Sequence, residues 1–135
     1  MEKHKTIFRN EDGSFRIVEV WKEYDFSGGL ILQKMVKRYN KKAKRHGNTD
    51  LFIGGVINSS TPYFEGEIHG IQKAWFRNGK LASTTRYVHG KEHGIHKTFD
   101  IDGRIAWKLK CRNGEPFDGE QAWESVQEKL EDKQR

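Results

Sequence analysis

Six histidines, one cysteine and a few glutamates are the side chains of this chain that could do chemistry. His46, His69 and His93 each precede a glycine, which raises the question of a metal site. Metal ligands must converge on one ion within a few ångströms. Cys111 offers a thiol, but a nucleophile needs an arranged base and none is identifiable. Glu65, Glu67 and Glu92 supply carboxylates, yet no pair sits alone in an apolar stretch as an acid–base couple requires. The glycines recur at turn spacing, unlike a phosphate loop or a nucleophile elbow. These residue types point away from an enzyme, and neither a metal nor a cofactor is expected.

The cations carry more signal. Between Lys34 and His46 there are seven Lys or Arg and no acid. Lys37, Arg38, Lys41, Lys42, Lys44 and Arg45 gather around Asn40, at an expected hairpin tip. A second group, Arg104, Lys108, Lys110 and Arg112, alternates along one expected strand. Such a stripe can neutralise phosphates, with binding that weakens steeply in salt. It can equally steer an acidic protein into contact, or rest on an anionic membrane surface. A basic surface serving only solubility is the plainer alternative.

The elements that must position these residues follow from a repeat. Gly66, His69-Gly70, Lys73, Trp75, Asn78-Gly79 and Leu81 return 24 residues later as Gly90, His93-Gly94, Lys97, Phe99, Asp102-Gly103 and Ile105. Gly114 opens a third copy. Asn-Gly and Asp-Gly between alternating segments are strong hairpin signals and suggest two-residue type I′ turns. The turns at Asn78-Gly79, His89-Gly90, Asp102-Gly103 and Asn113-Gly114 leave strands over 80–88, 91–101 and 104–112. In the last of these, Ile105, Trp107, Leu109 and Cys111 read as one apolar face, against a basic one. Gly70 and Gly94 inside strands suggest bulges or spots covered by a neighbouring aromatic ring. Equivalent histidines in adjacent hairpins would lie two strands apart, roughly 9–10 Å. That makes a row beside the turns rather than a coordination sphere.

Upstream the repeat decays. His46-Gly47, Gly55, Tyr63 and Gly66 still match, with one residue missing, and Asp12-Gly13 marks an earlier turn. The expectation is a single domain over 1–135. Within it, 1–65 holds degenerate hairpins with the basic segment at 34–46, 66–119 holds the clear repeats, and 120–135 forms a helix. Asp118 and Gln121 suit a capping box, and Trp123, Val126 and Leu130 follow at helical spacing.

Bulk composition agrees. Only 34% of the 135 residues are hydrophobic but 12% are aromatic, which favours a thin sheet with large side chains on one face over a thick core. The net charge is +6. One cysteine excludes an internal disulfide, and the absence of an apolar leader or membrane-length run suggests a cytoplasmic protein. Unpaired edge strands leave dimerisation open.

Trp75-Phe-Arg-Asn-Gly-Lys-Leu81, Tyr87-Val-His-Gly-Lys91 and His93-Gly94 resemble the bacterial MORN-repeat variant, as does the closing run from Asn113 to Gly119. The resemblance implies a mainly β fold, an open antiparallel meander of stacked MORN-type hairpins, which the tail would complete with a short C-terminal helix. It also implies non-catalytic binding, since similar bacterial proteins are labelled antitoxin components. Two functions are therefore expected in order: a protein-binding module that inhibits by occlusion, then a basic nucleic-acid-binding module using Lys34–Arg45. The matched residues are turn glycines and aromatics, so they identify a scaffold and not a site.

Overall fold

The computed structural model describes residues 2–116. These residues form one antiparallel sheet, with β1 at His4–Arg9, β2 at Phe15–Tyr24, β3 at Leu30–Tyr39, β4 at Gly47–Ile53 and β5 at Val56–Phe64. β6 (Glu67–Ile68) and β7 (Gly70–Trp75) are two parts of one strand interrupted at His69. β8 covers Leu81–Val88, β9 Lys91–Phe99, β10 Ile105–Arg112 and β11 Glu115–Pro116. Spatial order follows chain order, except that β6 pairs with β5 beside β7. The sheet is thus an open meander of hairpins. The expected helix at 120–135, with its cap at Asp118, lies outside the described residues.

Connections alternate between two ends of the sheet. At the near end lie Asn10–Ser14, Asn40–Lys44, Glu65-Gly66, His89-Gly90 and Asn113-Gly114. At the far end lie Asp25–Gly29, Gly54-Gly55, Phe76–Lys80 and Asp100–Arg104. Five connections share one plan: in Asn10–Ser14 the Asn10 N–H donates to the Ser14 carbonyl (2.9 Å) and the Gly13 N–H to the Asn10 carbonyl (3.1 Å). Asp25–Gly29, Asn40–Lys44, Phe76–Lys80 and Asp100–Arg104 repeat those bonds.

The fourth residue of each such connection has positive φ, namely Gly13, Gly28, Ala43, Gly79 and Gly103, while the residue before it does not. Asn78-Gly79 and Asp102-Gly103 are therefore not the two-residue turns expected from sequence. The cause is a side chain that closes a longer loop. Asp100 Oδ1 accepts from the Asp102 and Arg104 N–H groups, and Asn40 Oδ1 from Lys42 and Lys44. The two-residue form, with positive φ at both positions, holds at His89-Gly90 and Asn113-Gly114 as expected, and also at Gly54-Gly55 and Glu65-Gly66.

Residues paired across strands share a face. One face carries Tyr39, Tyr63 and Tyr87, and we call it the tyrosine face; the other is the basic face. Register shifts at Ala74/Trp75 and Ile105/Trp107 disturb simple alternation near the far end. Because Ile105 pairs with Phe99 but Trp107 with Thr98, Ile105 and Trp107 face opposite ways. The apolar row expected on one face of 104–112 therefore begins only at Trp107.

No thick core exists among the described residues. Trp21, Val36 and Cys111 are the only buried apolar side chains, and no large side chain is fully enclosed. Apolar residues appear on both faces: Ile71 and Ile95 pair with Arg86 and Lys110, whereas Leu109 pairs with His96 on the tyrosine side. A single layer buries neither face fully, so nothing forces large side chains to one side. Cross-strand pairs replace the core. Arg16 lies over Phe8 (4.2 Å), Lys3 over Trp21 (4.5 Å) and Lys34 over Phe52 (5.2 Å). Phe15 and Tyr39 stack at 4.9 Å. Exposed cation–π pairs contribute about 0.5–1 kcal/mol each.

Candidate binding surfaces

The basic tip is only half available. Lys41, Lys42 and Lys44 are exposed. Lys37, by contrast, donates to Glu19 at 2.7 Å, and Arg38 to the Asn48 carbonyl (2.7 Å) and to Asp50 (2.8 Å). Arg45 donates to the Tyr63 hydroxyl at 3.1 Å, and its guanidinium lies 5.1 Å from that ring centre. These three hold neighbouring strands together. The second expected group does not join the tip. Arg104 sits in a far-end connection, and Lys108, Lys110 and Arg112 lie on β10, across the sheet from β3.

The register assembles a different cluster. Ser60 pairs with Lys73, Lys73 with Thr84, Thr84 with Lys97 and Lys97 with Lys108, giving one straight row across five strands of the basic face. Ile71 pairs with Arg86 in the adjacent row. Further along the same face Arg16 pairs with Arg38. The acid on β4, Asp50, is occupied by Arg38 and by the Ser60 hydroxyl, which donates at 2.6 Å. Arg86 Nε is buried without a hydrogen-bond partner among the described residues. Burial, then the Arg86 and Arg112 charges, hold the His93 pKa below its ordinary value. A shallow groove of about 490 Å³ runs along this face, lined by Asn48, Ser60, Ile71, Lys73, Trp75 and Arg86. Sequence reading missed it because Lys73 and Lys97, one period apart, were absorbed into the scaffold.

A second surface is apolar. At the far end of the β2–β3 hairpin, Tyr24 (70% exposed), Leu30 (58%) and Leu32 (49%) face solvent, and Phe26 in the connection is fully exposed. Tyr24 and Leu30 are direct cross-strand partners. A groove of about 300 Å³ adjoins them, lined by His4, Val20, Trp21, Lys22 and Leu32. Nothing in the repeat marked this tip, since it falls where the period is weakest.

His46, His69 and Cys111, among the residues first suspected of chemistry, belong to two series of side chains at the near end. His46 lies 5.0 Å from Phe64, Phe64 6.3 Å from His69, and His69 4.9 Å from His89, centre to centre. His46 Nδ1 accepts the Glu65 N–H (3.3 Å) and His69 Nδ1 the His89 N–H (3.1 Å), so both rings brace turns. His93 and His96 lie on opposite faces, with His96 paired to Thr85 and Leu109. Among the described residues no three His, Cys, Asp or Glu side chains are grouped to hold a metal. Tyr39, Tyr63, Tyr87 and Cys111 form the other series, each one period apart. Burial and then Glu92 raise the pKa values of both Tyr87 and Cys111. A thiol so placed is protonated at neutral pH, and a carboxylate acceptor does not make it a nucleophile.

Among the described residues no helix is long and apolar enough to cross a membrane. Comparison with known protein families, curated proteins and solved structures finds no match to this chain.

Proposed function

We propose that this chain is a non-catalytic protein-binding module, an inhibitor of the antitoxin or immunity type that acts by covering its partner's working surface. The observation that carries this reading is the apolar tip of Tyr24, Phe26, Leu30 and Leu32. A sheet needs no aromatic ring in a fully exposed turn, whereas an interface needs an aliphatic or aromatic anchor. Lys22 and Lys34, both exposed, supply the polar rim that such interfaces carry. The similarity of residues Gly66 to Gly119 to bacterial MORN-repeat variants supports the same reading. So does the antiparallel sheet, whose described residues present broad open faces. Nucleic-acid binding through Lys34–Arg45 is less favoured, because Lys37, Arg38 and Arg45 are committed to protein contacts.

Affinity purification of the intact protein from its native cell tests the reading, comparing wild type with Phe26→Asp and Leu30→Asp. The partner should be retained by wild type and lost in both variants, while their circular dichroism stays unchanged. A partner retained equally by all three removes the tip as the interface. Wild type without any protein partner removes the reading itself.

A further inference from the structure

The basic face has a geometry that neither the fold nor the apolar tip requires. From β7 to β10 it crosses three strand-to-strand steps, roughly 14 Å at about 4.8 Å per step. Along that line Lys73, Thr84, Lys97 and Lys108 share one row, with Arg86 in the row beside it. Towards β2 the same row continues through Ser60 and the acid Asp50 to Val36 and Val18. The nearby acid, Asp50, is already paired.

Two cation pairs, Arg16 with Arg38 and Lys97 with Lys108, stand directly opposite each other. Like charges so placed destabilise a sheet by about 0.2–1 kcal/mol per pair. Folding alone would favour an acid or threonine at one of each pair. The acid-free stretch from Lys73 to Lys108 therefore fits a ligand whose negative charge recurs along its length.

We propose that this face is a track for single-stranded nucleic acid, laid across the strands from β7 to β10 with its phosphates on Lys73, Arg86, Lys97 and Lys108. A folded acidic protein presents mixed charges and would leave part of an unbroken row unpaired. A linear polyphosphate does not. The groove is shallow, and Trp75 lines it beside Lys73 and Arg86, which places an indole where an unstacked base can lie. Stacking on aromatic rings beside a cationic groove is how sequence-tolerant single-strand binders work, with footprints of about 4–16 nucleotides. This track is separate from the apolar tip, so either can fail alone.

The test is fluorescence anisotropy of the full chain with a labelled 20-nucleotide oligo(dT) or oligo(U), at 50 to 200 mM salt. Four phosphate contacts predict a log–log salt slope of about −3, a loss of affinity of roughly fiftyfold over that range. Lys73→Gln/Lys97→Gln/Lys108→Gln should reduce the slope by about 2 and weaken binding at least tenfold. Lys41→Gln/Lys42→Gln/Lys44→Gln and Phe26→Asp should leave binding unchanged. Should the first triple variant not fold, Lys108→Gln alone should lower the slope by about 0.7. Absence of binding at 50 mM salt overturns the proposal, as does an unchanged slope in the Lys73/Lys97/Lys108 variant. Tighter binding of a 20-base-pair duplex overturns the single-strand assignment, and equal competition by polyglutamate transfers the face to an acidic protein.

Discussion

Cys111 Sγ donates to a Glu92 carboxylate oxygen at 3.5 Å, and the thiol occupies the place that Tyr87 holds one repeat earlier. Both groups lie against the same carboxylate, and both pKa values are raised, by burial first and by Glu92 second. The thiol is only 2% exposed. In native protein Cys111 should therefore resist iodoacetamide at pH 8 and react at once in denaturant. Glu92→Gln removes the negative charge and should lower the thiol pKa, read from the pH at which alkylation begins. Fast native labelling would contradict the burial of the thiol.

Ala43 holds a position that glycine holds in every equivalent connection, with φ of +62°. A left-handed alanine costs about 1–2 kcal/mol of backbone strain. Glycine also loses more entropy on folding, which offsets part of that gain. Ala43→Gly should stabilise the protein by about 0.5–1 kcal/mol, a rise in Tm of roughly 2–5 °C. Calorimetry showing a fall would mean that the tip is held by something other than its turn.

Glu19 is buried and accepts from Lys37 at 2.7 Å. That hydrogen bond lowers its pKa from 4.5 against the opposing effect of burial. The stability it contributes is fully present above pH 4.5 and is lost as pH falls through the lower folded value. Lys37→Met leaves the carboxylate short of its main partner and should cost about 1–3 kcal/mol at pH 7. Denaturant titrations should show that cost shrinking at pH 4, where the orphaned acid takes a proton. A cost independent of pH would assign the loss to packing.

His93 titrates below its ordinary 6.5, through burial and then through Arg86 and Arg112. Between the folded value and 6.5 the unfolded chain holds more protons, so stability rises with pH across that window. His93→Gln should flatten this part of the profile. Arg86→Gln should move the His93 pKa upward in an NMR titration. No movement would show that the guanidinium is screened from the ring.

How much of this was legible in the sequence differs from one element to the next. The period of 24 and the pairs His89-Gly90 and Asn113-Gly114 determine hairpins directly, because positive φ at both positions is a local demand on two residues. Asn78-Gly79 misled, since the loop around it is closed by a side-chain hydrogen bond from the Lys80 N–H to Asn78 Oδ1. Arg104 misled as well. A one-residue register shift beside it breaks the alternation on which its grouping with Lys108 depends.

The sequence by itself determined the repeat, the antiparallel meander and the role of His46 and His69 beside turns, all of which rest on contacts within one or two hairpins. Tertiary structure alone decided which cations meet. Lys73, Lys97 and Lys108 share a row because three successive registers align them, and Lys37, Arg38 and Arg45 leave the candidate surface because strands next to theirs supply Glu19, Asp50 and Tyr63. Charge in a sequence is a property of residues, but a charged surface is a property of register. A shift of one position moves a side chain to the other face.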